Sequence, residues 1–200
     1  MERGDSMFEL NLKNKSYLLI ISTFILIGCG EASLDSTRGN LTKINITKQE
    51  FLDAINKARS TSRDCYPNNP NRGFMKATHP LIWNNELYAS ALEHSNDLAN
   101  SDTFSHLGSG TKYDITGNGK ASKFFERILA NGYTNYYSVG ENIAGGQKNL
   151  EEVMKEWLNS PEHCTNIMKD TYKEIGVAVV LNNDSTYGIY WTQNFGSKTK

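Results

Sequence analysis

The sequence predicts an α+β domain with helices packed on an antiparallel sheet. From Thr47 onward, several segments carry apolar residues at helical spacing. The chain then ends in two runs rich in β-branched and aromatic residues, "EIGVAVVL" and "YGIYWTQNF", with "NNDS" between them as a turn. Helices first and a hairpin last is the order expected of α+β layering. A chain of 200 residues suits one domain with a tail, and ten Tyr, eight Phe and three Trp furnish a core.

Each element has a local reason. Thr47-Lys48-Gln49-Glu50 is a capping box, and Phe51, Leu52, Ile55 and Ala58 follow at helical spacing, which predicts a helix from Thr47 to about Ser62. "CYPNNPNRG" breaks it. After "THPLIWNN", a second helix is expected from about Glu86 to Asn100, with Leu87, Ala91, His94 and Leu98 on one face. "TKYDITGNGKA" is too irregular for an element. Its "GNGKAS" lacks the third glycine of a dinucleotide loop and the hydroxyl after the lysine of a P-loop. "SKFFERILANGY" reads as a short helix from Ser122, ended by Gly132. "YYSVGENIAGG" reads as a strand or an irregular edge. Asn149 caps "LEEVMKEWLNS", where Leu150, Val153, Met154, Trp157 and Leu158 form the clearest amphipathic stripe in the chain. Ser160 as N-cap and Pro161 at the first helical position start one more helix.

The N-terminus carries a different message. Lys13 and Lys15 precede an apolar run of 12 residues, Tyr17 to Gly28. As a helix this run spans about 18 Å, short of the roughly 30 Å hydrocarbon core. A basic region, a short apolar region and small residues at its end describe an export signal. The final "LIGC" resembles the lipobox of bacterial lipoproteins, in which Cys29 is lipidated and becomes the mature N-terminus. The expected organisation is therefore a signal peptide over 1–28, a tether over 29–46 rich in Ser, Thr, Gly and Asn, a domain over 47–196 and a tail over 197–200. The chain would sit outside the cytoplasm, held to a bacterial membrane by acyl chains on Cys29. A formal charge of −1 and the lack of a basic stripe argue against nucleic acid as a partner.

Two cysteines remain, Cys65 and Cys164. Outside the cytoplasm they can bridge if their Cα atoms approach, which the sequence leaves open. His163 and Cys164 are adjacent on the expected helix, project about 100° apart and do not face each other. A thiolate–imidazolium dyad therefore does not follow from their adjacency.

"FSH" (Phe104 to His106), "GENIA" (Gly140 to Ala144), "EWLNSPEHCTNI", "KEIGVAV" and "YWTQNFG" occur in the order of the bacterial branch of the CAP superfamily. This SCP-like domain is related to cysteine-rich secretory proteins, antigen 5 and pathogenesis-related 1 proteins, and the resemblance covers about Thr47 to Gly196. It implies a three-layer α–β–α sandwich of the CAP/SCP type with a central antiparallel sheet. It also implies a groove lined by His106, Glu141 and His163, residues lying 35 and 22 positions apart. Lipids or sterols are one ligand class of such domains. No cofactor is required, although His106 and His163 are the pair that would hold a divalent metal such as zinc. The chain departs from the family pattern in three respects, one of them the absence of the later histidine-containing motif of the animal and plant branches. Ser160 stands near the place of a second acidic residue found in the animal and plant branches, with Glu162 close by. Cys164 stands where bacterial relatives usually carry a basic residue.

Each site residue also has a plain structural role open to it. Glu141 could brace backbone amides and His163 could bond backbone. His94 reads as a satisfied core histidine and His79 as loop structure. Trp83, Trp157, Trp191 and Tyr190 read as core or groove wall. There is no H-E-x-x-H and no G-x-S-x-G. The reading this supports is a non-enzymatic, lipid-anchored binding module for a small apolar ligand or a macromolecular partner. The alternatives are a metal-assisted hydrolase using His106, Glu141 and His163, and an adhesive or structural surface domain.

Overall fold

The computed structural model describes residues 44–199 other than 70 and 73. The expected signal peptide, Cys29 and nearly all of the expected tether lie outside the described residues. Nine elements follow in order: α1 (Lys48–Arg59), β1 (Ile82–Trp83), α2 (Asn85–Ser101), α3 (Phe124–Ala130), β2 (Tyr136–Gly145), α4 (Leu150–Asn159), α5 (Pro161–Met168), β3 (Glu174–Leu181) and β4 (Ile189–Lys198). The sheet order is β1-β3-β4-β2. The β3–β4 and β4–β2 pairs are antiparallel, and the two-residue β1 adds a parallel edge that no local pattern in the sequence marks.

Local chemistry accounts for the helix ends. The Thr47 hydroxyl accepts from the Glu50 N–H, and the Glu50 carboxylate accepts from the Thr47 N–H, so the capping box is present. The Asn84 and Asn149 side chains cap α2 and α4 by accepting from first-turn amides, without the reciprocal carboxylate bond. Ser160 occupies the N-cap of α5 as expected, but its side chain makes no capping bond. Pro161 at the first helical position has no N–H, so the helix start carries one fewer orphan donor.

Strand alternation separates two layers. Ile175, Val177, Val179, Trp191 and Phe195 face the layer of α1, α4 and α5, where Phe51, Ile55, Val153, Trp157 and Ile167 complete the main core. Val180, Tyr190 and Ile143 face α2 through Leu98 and Ala99, and α3 joins that side through Ile128, Leu87 and Tyr133. The expected α–β–α sandwich is the observed one. The α2–sheet contact is closer and more polar than its apolar stripe suggests. A Cβ on Gly176 would meet the Tyr88 N at 2.0 Å, so helix backbone rests directly on β3. Ser95 donates to Thr192, and Asn194 donates to Ser90, all four buried. Ile44 already packs into the core, and β4 continues to Lys198, beyond the expected domain end at 196.

Two devices hold α5 against the rest. Cys65 and Cys164, both buried, are joined in a disulfide with Cα atoms 5.6 Å apart. Arg59, fully buried at the end of α1, donates to the carbonyls of Ile167, Lys169 and His79. Burial lowers its guanidinium to about 10, with Asp170 pulling the other way. It therefore stays charged near neutrality and closes the C-terminus of α5, where a cation is favoured. In the chain-entropy model, closing a loop of about 100 residues stabilises by up to about 4.7 kcal/mol. Replacing both cysteines by serine should accordingly lower stability by about 2–5 kcal/mol. Urea denaturation of the full chain checks this, and an unchanged midpoint would show that the bridge contributes nothing.

Candidate functional site

The site gathers at the outer edge of β2, the end strand of the sheet. Successive residues of a strand face opposite layers. Glu141 therefore points to the α2–α3 side and Asn142 to the α5 side, and each takes hold of a different histidine-bearing segment.

On the α2–α3 side, Glu141 is 5% exposed yet ionised. Burial alone would raise its carboxyl, but His94, His106 and Arg127 together hold it below the ordinary carboxylate range. Its Oε2 accepts from Arg127 at 2.9 Å, and its Oε1 accepts from Arg127 at 3.2 Å and from His106 Nδ1 at 2.9 Å. A carboxylate only accepts, so Nδ1 of His106 carries a proton and Nε2 is the ring nitrogen that Glu141 leaves unengaged. Half of the His106 side chain is exposed.

Arg127 carries no local mark that would place it here, and it is 1% exposed. Besides Glu141 it donates to the carbonyl of His106 and to both the carbonyl and the hydroxyl of Ser122. Ser122 in turn donates to Asp114, whose carboxylate also accepts from the amides of Gly110 and Gly117. The irregular stretch 105–123 is thus wired to one buried cation. The expectation of a satisfied core histidine needs amending at His94. The ring is fully buried, and its Nε2–H donates to the Ser105 carbonyl at 3.0 Å while standing 3.8 Å from Glu141 Oε1. Its Nδ1 has no partner among the described residues. His94 belongs to the polar cluster behind His106.

On the α5 side, Asn142 donates to the His163 carbonyl and to Gln193 Oε1, and Asn166 donates to Asn142 Oδ1. These bonds seat α5 so that the His163 ring reaches the His106 ring, with centroids 6.5 Å apart. Burial, followed by the nearby His106, lowers His163 below the ordinary histidine range. Of the roles left open, Glu141 braces side chains rather than backbone amides, and His163 is held through its own carbonyl. His79 is a loop residue whose carbonyl accepts from Arg59. Trp157, Trp191 and Tyr190 are buried.

The two rings do not fit a zinc ion as they stand. Two imidazoles at about 2.05 Å on a tetrahedral ion would have centroids about 5 Å apart. The observed 6.5 Å is longer, and both Glu141 oxygens are already engaged. Among the described residues, no group of three His, Cys, Asp or Glu side chains is arranged to hold a metal. The zinc expectation for His106 and His163 therefore lacks a donor set in this arrangement.

A cleft of about 500 Å³ lies at the far end of β2, lined by Gly145, Gly146, Gln147, Lys155, Glu156 and Asn159 among others, with no site histidine in its lining. A second cleft, distant in sequence, is lined by Phe74, Met75 and Met168 with Lys76, Lys169 and Lys173. Residues far apart in the chain thus assemble a basic, partly apolar surface that the linear sequence does not display.

Two outcomes test this geometry. Arg127→Met should leave Glu141 buried without its main partner and destabilise the fold by about 3–5 kcal/mol, read by urea denaturation. A loss under about 1 kcal/mol would remove Arg127 from the centre of the site. The second concerns acid. The native His94 and His163 pKa values lie below the unfolded value of 6.5, so below about pH 6.5 the unfolded chain binds more protons than the native one. Stability must then fall as pH drops from about 7 to 5, and His163→Gln should flatten part of that slope. A midpoint independent of pH over that range would contradict it.

Comparison with known proteins agrees with this architecture. The model of the cysteine-rich secretory protein family matches residues 52–195. The "Uncharacterized protein YkwD" of Bacillus subtilis (strain 168) is 35% identical over 121 residues, which is 60% of this chain and 40% of that protein. The "Uncharacterized membrane protein YlbC" of the same organism is 28% identical over 115 residues, 58% of this chain and 28% of that protein. The matches thus span less than half the length of these curated relatives. Among solved structures, an extracellular protein of Bacillus anthracis containing a SCP domain superposes with a TM-score of 0.54 at 23% identity, covering 75% of this chain and 40% of that one. An outer surface protein of Borrelia burgdorferi superposes with a TM-score of 0.52 at 20% identity, covering 77% of this chain and 97% of that one. With its helices, sheet and "GEN" strand placed as described, and the family match running through nearly all of the folded domain, this chain belongs to the cysteine-rich secretory protein (CAP) family.

Proposed function

We propose that this protein is a lipid-anchored, extracytoplasmic binding module that engages a macromolecular partner along the His106–His163 edge of β2, without turnover. The observation that carries the reading is the state of Glu141. Both of its oxygens are committed to Arg127 and His106, so it braces a binding surface and is not free to act on a substrate. The cleft further along β2 is lined by amides, carboxylates and a lysine, which suits a hydrogen-bonding partner better than a small apolar ligand.

Location is inferred from two supports. The lipobox-like "LIGC" would put Cys29 at a membrane surface, and two structural neighbours are described as an extracellular and an outer surface protein. Among the described residues no helix is long and apolar enough to cross a membrane.

One observation favours catalysis as a second reading. The Glu141–His106 contact has the form of an orienting carboxylate behind a general base. No hydrogen bond links either site histidine ring to a hydroxyl or thiol that would serve as nucleophile among the described residues.

The test uses the full chain and isolated bacterial envelope fragments. Cys29→Ser should move the protein out of the membrane fraction. Retention of that variant on envelope material should then fall about tenfold when His106→Ala and His163→Ala are added, a loss of roughly 1.4 kcal/mol. Equal retention with and without the histidines would refute the proposed groove. Ester or peptide turnover lost in His106→Ala would favour the second reading.

A further inference from the structure

The groove reading can be carried further, to the chemistry of the partner. We infer that the outer edge of β2 receives a chain of pyranose sugars. This rests on the proposed binding role of that edge and adds the ligand class.

Most of the outer edge of β2 is closed to a peptide strand. The Gly146 N–H donates to Ile189 on β4, so by alternation residues 139, 141, 143 and 145 turn their backbone to the free edge. The first three of those carbonyls are occupied. Tyr172 Oη donates to Val139 at 3.1 Å, Asn166 to Glu141 at 3.3 Å and Trp157 Nε1 to Ile143 at 3.1 Å. Adding a β-strand to an edge requires its carbonyls free. The partner must be recognised by side chains instead.

At the Gly145 end of β2 one side is aromatic. Phe104 and Tyr187 are each 43% exposed and lie 4.9 Å apart, two residues along the chain from His106 in the case of Phe104. The Tyr187 ring rests where a Cβ on Gly145 would come within 2.9 Å of it, so the glycine is what lets the ring sit against the end of β2. The neighbouring Tyr190 is tied to the C-cap of α2 through Asp102, as is Thr186, which fixes the turn carrying Tyr187. A rigid pair of half-exposed rings is a stacking platform.

The opposite side is polar. Around Gly145 and Gly146 stand Gln147, Lys155, Glu156 and Asn159. Gln147 is 9% exposed, its amide nitrogen donates to Glu156, and its Oε1 is buried with no partner among the described residues. An unsatisfied buried acceptor beside a cleft calls for a donor such as a hydroxyl.

Polymers that stack on aromatic rings and hydrogen-bond at their edges are chiefly single-stranded nucleic acids and glycans. The first needs a positive groove to follow its phosphates. Here the cleft mixes Glu152 and Glu156 with a single lysine, and the chain carries a net charge of −1. An uncharged, hydroxyl-rich ligand with apolar ring faces fits both walls, and a glycan has that chemistry.

Isothermal titration of the full chain in detergent with chitohexaose and with cellohexaose tests the assignment. Saturable binding to at least one of them is expected, weakened about tenfold by Tyr187→Ala and by Phe104→Ala with melting temperatures unchanged. Asn159→Ala, on the exposed face of α4, should weaken it as well. Absence of binding to both sugars overturns the inference. So does an affinity unaffected by the two aromatic substitutions, or binding of decathymidylate in place of the sugars. Envelope retention that depends on His106 without any binding of these sugars would sink the glycan assignment while leaving the groove itself intact. Sugar binding lost in Tyr187→Ala but indifferent to both histidines would support the glycan and displace the histidine groove.

Discussion

The architecture around the site depends on one buried charge pair, Arg127 with Glu141. Two ions taken out of water carry a desolvation penalty that their mutual attraction repays only with good geometry and further hydrogen bonds. Here Arg127 also reaches the His106 carbonyl and both oxygens of Ser122, and Glu141 also holds the His106 ring. The pair therefore joins three pieces of the chain at one point: α3, the loop over 105–123 and the edge strand. The loop is also tied to α2 through Ser105 and Ser109, but this pair is what fixes His106 against β2. One Arg127 nitrogen, Nε, stays buried without a partner among the described residues, so the network is close to saturated but not complete.

The second dependence is the position of β2 at the end of the sheet. A central strand would keep its two faces apart, with a neighbour on either side. At the edge, the segment held by Glu141 on one face and the helix held by Asn142 on the other can meet around the rim, and the rings of His106 and His163 come within 6.5 Å of each other. The "GEN" sequence is in this sense a divider, with one side chain for each layer. Along most of its length the edge offers no free acceptor to another strand, because donors from Trp157, Asn166 and Tyr172 occupy the carbonyls of Ile143, Glu141 and Val139.

The seat of His163 is set by α5, and α5 is unusually well tied for a helix of eight residues. The disulfide enters at Cys164, Arg59 closes the far end, and Asn142 takes the carbonyl of His163. Placing a cysteine after the histidine has an electrostatic consequence as well. The position contributes a buried bond instead of a cation, and the ring beside it is held neutral mainly by its own burial.

Much of this was legible in the residues themselves. The capping box at Thr47, the stripe from Leu150 to Leu158, Pro161 and the closing hairpin are short-range signals. Each depends on backbone geometry within a few positions, so the local sequence determines where these elements lie. The resemblance carried by five short motifs also named His106, Glu141 and His163. Arg127 was invisible, since a lone arginine in "FFERILA" has no local mark that distinguishes it from a surface residue. The parallel strand β1, the role of His94 and the pairing of Cys65 with Cys164 were equally undetermined, because each concerns the distance between segments far apart in the chain. Whether two imidazoles suit a metal was likewise a question of ångströms, which spacing along a sequence does not encode. Local propensity determined most of the elements of this protein, β1 excepted. Only the packed structure decided which charges are buried together, because the cost of desolvation is set by what surrounds a group in space and not by its neighbours along the chain.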